Sequence, residues 1–128
     1  MKTLIIIVSV LIVMTNGLNT ERLRKFYQNL AKCNEELGEP MSEHFPEKLY
    51  CAAERDGQVL NSKGEMIQQE MLKAYEDGIS DTNRLQQAKT KFNKCYDEGL
   101  QSGNTGKEQT LKIIMCGADT VDLLDKTD

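Results

Sequence analysis

Four cysteines, Cys33, Cys51, Cys95 and Cys116, all follow an N-terminal stretch that reads as a secretory leader. No other feature narrows the fold as far. A thiol that enters the secretory pathway meets an oxidising compartment, so an even cysteine count reads as a disulfide framework. There is no Cys-x-x-Cys pair, and the single histidine, His44, sits apart from every cysteine. A zinc-type ligand set therefore does not assemble, and neither a metal nor any other cofactor is expected.

The leader is read from residues 1–17. Lys2 is the one charge before Glu21, Leu4 to Met14 is apolar except for Ser9, and Thr15 and Gly17 are small. Cleavage after Gly17 fits this pattern. The apolar run is short for a membrane anchor, which needs about 20 residues. No later segment is apolar enough to span, so a secreted, extracellular and soluble product is expected, with no stable membrane insertion.

Removing 17 residues from 128 leaves 111, the size of one domain over residues 18–128. Lys2 leaves with the leader, so 15 basic residues face 20 acidic ones and the net charge is −5. Basic and acidic side chains are interleaved, which argues against nucleic acid and anionic membrane as partners. A core of this size is modest, and two crosslinks would each add about 3 kcal/mol by chain entropy.

The mature chain reads as helices throughout. Thr20 is placed to cap a first helix running to Leu37, with Leu23, Phe26, Tyr27, Leu30 and Cys33 along one face. Gly38 and Pro40 end it. Residues 39–45 read as a loop. Pro46 suits the first turn of a second helix that stops at Gly57. After a turn at Asn61, Ser62 and Gly64, a third helix is expected over residues 65–76, ended by Gly78. Ser80 or Asp81 caps a fourth, with Leu85, Ala88, Phe92, Cys95 and Tyr96 as its stripe and Gly99 as its end. Thr105 and Glu108 have capping-box spacing for a fifth. That helix carries Leu111, Ile113, Ile114, Met115, Cys116, Ala118 and Val121 and is expected to be the most buried. No long run alternates with period two. The class is all-α, with five to six helices.

Four cysteines allow three connectivities. On the helix reading, Cys33 and Cys95 each lie late in one helix, and Cys51 and Cys116 each lie midway along the next. This repeated arrangement favours Cys33–Cys51 and Cys95–Cys116 over the two crossed alternatives, which sequence alone leaves open.

The segment from Leu49 to Leu60, LYCAAERDGQVL, followed by Ser62-Lys63-Gly64 and a helix, resembles the middle of insect odorant-binding proteins. Lys94-Cys95 and Ile113-Ile114-Met115-Cys116 resemble the surroundings of that family's fourth and sixth cysteines. The second and fifth are missing, their places taken by Glu47 and Lys107, as in the four-cysteine, C-minus subgroup. The chain looks hymenopteran-like, and from Leu49 onward it also resembles the ant venom allergen 2/4 group. The resemblance covers about residues 20–124. It implies a compact helical domain around an apolar cavity, with the first cysteine paired to the third and the fourth to the sixth. The Cys33–Cys51 interval is short for that family, so one wall of the cavity is expected to be open or rebuilt.

Such a cavity would be mostly apolar with a few polar groups to orient a ligand. The inward-facing candidates are Phe26, Leu30, Leu49, Ile67, Met71, Tyr75, Phe92, Tyr96, Leu111, Ile114 and Met115. Apolar stripes at helical spacing are more often plain core than pocket. Tyr27, Tyr50, Tyr75 and Tyr96 each offer a hydroxyl. His44, alone in a loop, reads as surface.

An enzyme is not expected. One histidine, no Gly-x-Ser-x-Gly and no free thiol leave no nucleophile with a base. Two functions from different classes remain. One is a secreted carrier of small hydrophobic molecules (odorants, pheromones or lipids), for which the resemblance implies a chemosensory receptor as a further partner. The other is a venom or glandular protein on the same scaffold that acts through its surface. Monomer and homodimer fit either.

Overall fold

Asn19 sets the first helix. Its side-chain carbonyl accepts from the Arg22 amide at 3.0 Å, the bond an N-cap makes. The cap is thus one residue earlier than Thr20, which becomes the first helical residue. The computed structural model describes residues 18–127, and the expected leader at 1–17 lies outside the described residues. Helix α1 spans Thr20–Leu37 and ends where Gly38 adopts a φ of 104°. Helix α2, Phe45–Asp56, has Pro46 in its first turn and closes at Gly57. Helix α3 is Gln68–Gly78, α4 is Thr82–Gln101 and α5 is Gly106–Gly117, followed by a 3₁₀ helix over Ala118–Leu123. The described residues are all-α, with five α-helices and one isolated antiparallel bridge, Leu60 to Met66.

Three boundaries differ from the sequence reading, each for a tertiary reason. α3 begins at Gln68 rather than near Glu65. The Leu60–Met66 bridge and a bond from the Ile67 amide to the Val59 carbonyl, 2.8 Å, hold that stretch extended. α4 continues through Gly99 to Gln101, because Gly99 is a packing residue and not a stop. A Cβ there would run into the Ile113 side chain of α5. Thr105 stands at the N-cap of α5 but makes no side-chain cap bond. The cap comes from elsewhere: the Gly106 amide donates to the Glu65 carboxylate at 3.0 Å. That bond, with one from Asn61, holds the Glu65 carboxyl below its ordinary range.

The helices pack as two sequential pairs, α1 with α2 and α4 with α5, joined where α2 meets α5 and where α3 bridges α1 and α4. The disulfides are Cys33–Cys51 and Cys95–Cys116, with Cα separations of 6.0 and 5.6 Å. Each one staples a sequential pair, the arrangement favoured from the helix reading. Cys33 and Cys95 are fully buried. Leu23, Leu30, Tyr75, Phe92, Ile113 and Ile114 form the heart of the core around them. α5 is only half sunk into this core: Ile113 and Ile114 are buried, while Met115 is 66% exposed.

The short interval between Cys33 and Cys51 is rebuilt around Lys48. This side chain is completely buried, and its ammonium donates to the carbonyls of Gly38 and Pro40, both at 2.7 Å. A buried charge is tolerated only when its hydrogen bonds are satisfied. It is the partner of the Gly38 carbonyl, and it shares the Pro40 carbonyl with the Glu43 amide, which donates at 3.0 Å. Replacing Lys48 with Met keeps the apolar stem but strands the Gly38 carbonyl. We expect Lys48→Met to cost about 1–3 kcal/mol, read as a lower urea midpoint at unchanged slope.

Candidate functional site

A cavity of about 140 Å³ lies between the two stapled helix pairs. α1 contributes Leu23 and Phe26 to its wall, α2 contributes Leu49, Ala52 and Ala53, and α3 contributes Met71, Ala74 and Tyr75. Phe92 of α4 and Ile113 and Ile114 of α5 complete the helical walls. Val59 and Met66 enter from the α2–α3 connection, and Thr120, Val121 and Leu124 from the C-terminal segment. None of residues 38–48 lines the cavity.

The aromatic side is ordered by contact. The rings of Tyr75 and Phe92 lie 5.8 Å apart, and those of Phe92 and Tyr96 5.7 Å, both tilted. Two polar groupings interrupt the apolar lining. One is buried: the Tyr75 hydroxyl lies 2.8 Å from Thr120 Oγ1, which in turn donates to the Gly117 carbonyl at 2.8 Å. Burial pushes the Tyr75 hydroxyl up from its ordinary range, the Thr120 bond offsetting part of this, so it stays neutral at physiological pH.

The other grouping lies at the surface. Arg22 bonds Asp56 at 3.2 and 3.1 Å and Asp77 at 2.8 Å. Asp56 ends α2 and Asp77 stands one residue before the end of α3, where the helix dipole disfavours negative charge. Arg22 supplies the compensating charge to both. Burial alone would lower its pKa, but the bonds and charges of the two carboxylates outweigh this and raise it. The same three side chains also line a polar groove on the outside, so they form the partition between solvent and the apolar space.

A latch holds the C-terminal wall. The Asp125 amide donates to the Gly78 carbonyl at 2.8 Å, and the Tyr27 hydroxyl donates to the Asp125 carbonyl at 2.9 Å. The Asp125 carboxylate accepts from the Ser80 amide (3.1 Å), the Ser80 hydroxyl (2.6 Å) and Arg84 (3.0 Å). Arg84 also donates to the Leu123 carbonyl at 2.9 Å. Leu124, next to the latch, is thereby pressed over Leu23 and Gly78.

The sequence model of the ant venom allergen Sol i 2 family matches residues 32–121, well over half of the chain. The chain belongs to the ant venom allergen Sol i 2 family. Comparison with curated proteins and with solved structures gives no match. The family match takes in both disulfides, the buried Tyr75–Thr120 pair and most of the wall. It leaves out the first turns of α1, with Arg22, and the Asp125 latch.

Of the eleven candidates read from sequence, Phe26, Leu49, Met71, Tyr75, Phe92 and Ile114 stand on the cavity wall. Five do not. Leu30 is buried in the core away from the wall, and Tyr96 and Leu111 are half-buried against its outside. Ile67 is exposed at the N-cap of α3, since the extended Val59–Ile67 pairing turns it outward. Met115 faces outward because Ile113 and Ile114 occupy the buried face of α5. Of the tyrosine hydroxyls, only that of Tyr75 belongs to a wall residue. His44 is an exposed residue with a φ of 54° at the N-cap of α2, remote from the site. The sequence reading missed Leu23, Val59, Met66, Ile113, Thr120 and Leu124. Leu23 and Ile113 had been read on apolar helix faces, but nothing marked Thr120 or Leu124.

The latch has a predictable pH dependence. Burial would raise the Asp125 carboxyl, but the Ser80 bonds and Arg84 outweigh it and hold its pKa below the ordinary aspartate value. The unfolded chain therefore binds this proton more readily than the folded one. The stabilisation is complete above about pH 4, the unfolded value, and is lost as pH falls through the folded value. We expect Asp125→Asn to lower the melting temperature by a constant amount above about pH 5. The gap from wild type should close below about pH 4 in a series of thermal melts.

Proposed function

We propose that this protein is a secreted, non-enzymatic carrier that encloses one small hydrophobic molecule in the cavity between its helix pairs. The observation that carries the reading is the cavity itself: an apolar wall drawn from every helix, partitioned from solvent by Arg22, Asp56 and Asp77 and covered by a latched C-terminal segment. Packed interiors rarely retain space on this scale, and engineered apolar cavities of about 150 Å³ stay dry and take up benzene. The Sol i 2 family and the two disulfides are compatible with secretion. The resemblance to odorant-binding proteins supports the same reading, with an odorant, pheromone or lipid-derived fragment as cargo. The polar groups on the wall are a tyrosine–threonine pair and an arginine paired with two aspartates, neither of which provides a nucleophile with a base.

The family name also supports a second reading, a venom component whose activity lies on its surface. Under that reading the cavity would be incidental.

Toluene is the simplest probe, being apolar and matched to the space. In an amide-resolved NMR titration we expect its addition to shift resonances of Phe92, Ile114 and Val121. Ile114→Trp should fill the space and weaken binding at least tenfold, whereas Met115→Glu, on the outer face, should leave it within about twofold. Absence of any shift in wild type at saturating toluene would sink the carrier reading and leave the surface reading.

A further inference from the structure

The buried hydroxyl pair has a fixed direction. The Gly117 carbonyl can only accept, so the bond it makes with Thr120 Oγ1 at 2.8 Å uses the single proton that threonine owns. The 2.8 Å contact between Tyr75 and Thr120 must then be made with the tyrosine proton. Each hydroxyl has one proton and two lone pairs. Once both protons are committed, Tyr75 Oη holds only acceptor capacity. Tyr75 is 8% exposed and Thr120 3%, so solvent is a poor source of a competing donor.

Tyr75, Thr120 and Gly117 all belong to the cavity wall, and the rest of the buried wall is apolar. The charged groups, Arg22, Asp56 and Asp77, are occupied with one another at the surface end. A ligand seated in the space therefore meets buried hydroxyl oxygens with acceptor capacity only, two lone pairs on Tyr75 Oη and one on Thr120 Oγ1. Both ask for a proton, and Tyr75 has the greater spare capacity. A carbonyl or ether oxygen placed there would face a lone pair, and could be satisfied only by taking the tyrosine proton from its bond to Thr120 or the threonine proton from its bond to Gly117. A hydroxyl placed there gains a bond at no such cost.

We infer that Tyr75, oriented by Thr120, is the specificity-determining residue of the cavity, and that it selects small apolar alcohols, or other neutral hydrogen-bond donors, over the corresponding carbonyl compounds. This rests on the carrier reading and states which cargo chemistry the carrier prefers. Thr120 is a positioning residue, since it acts by dictating where the tyrosine proton points.

The matched pair cyclohexanol and cyclohexanone tests this. They differ by two hydrogens, are uncharged and are close to toluene in size. Their affinities would be measured by the same NMR titration on wild type, Tyr75→Phe and Thr120→Val. The ratio of alcohol to ketone affinity in Tyr75→Phe reports the intrinsic preference of an apolar space. In wild type that ratio should be about fivefold larger, the value of one net neutral hydrogen bond. Thr120→Val removes the acceptor and frees the tyrosine proton, so ketone affinity should rise and the ratio should fall to or below the Tyr75→Phe value. A merely structural role for the pair would weaken both ligands together and leave the ratio unchanged in all three proteins. Equal ratios in wild type and Tyr75→Phe, with toluene still bound, would overturn the inference and leave the carrier reading standing. Binding of none of the three compounds to wild type would overturn both.

Discussion

Everything in this fold is organised around two covalent links between neighbours in sequence. Cys33–Cys51 fixes α1 on α2, and Cys95–Cys116 fixes α4 on α5. Each closes a loop of about twenty residues, for which chain entropy gives roughly 3 kcal/mol. Because both links are local, they define two rigid pairs and leave the contact between pairs to weaker forces. The cavity lies at that contact. Its wall takes side chains from both pairs, with α3 and the C-terminal segment closing the remaining sides.

Non-covalent devices do the rest, and they concentrate where the cysteine pattern has gaps. Glu47 and Lys107 stand where the resemblance implied two absent cysteines. The Lys107 ammonium sits 4.8 Å from the centre of the Tyr50 ring, a cation–π contact between α5 and α2. Nearby, Thr110 donates to the Gly64 carbonyl at 2.5 Å, and Gly106 is capped by Glu65. The start of α5 is therefore held by the 61–65 loop through polar bonds. At the other gap, the short Cys33–Cys51 interval, one buried lysine satisfies two loop carbonyls.

Helix faces and the glycine at the end of α1 were legible because they follow from local periodicity and backbone freedom; the disulfide pairing was only favoured by the helix reading, with the resemblance implying the same choice. The misreadings share a cause: a residue chosen for a distant contact looks like a local signal. Gly99 resembles a helix stop but is small for Ile113. Thr105 and Glu108 have capping-box spacing, yet it is the Glu65 carboxylate that accepts from the Gly106 amide. Ile113, Ile114 and Met115 are equally apolar, and only packing decides that the third is outside. The polar parts of the site were beyond reach for the same reason. Arg22, Asp56 and Asp77 are spread along the chain, and nothing local distinguishes Thr120 from a surface threonine.

A cavity of about 140 Å³ forgoes packing that a filled core would have. The two disulfides, by restricting the unfolded chain, add stability that offsets part of this cost. A guest of matching shape would recover much of the lost dispersion energy without the chain having to rearrange, because the walls are already fixed. Such preorganisation makes apolar affinity general and leaves discrimination to polar contacts. In this wall the buried polar contacts with capacity to spare are acceptors only, chiefly the lone-pair face of Tyr75, set in direction by a threonine proton committed to Gly117.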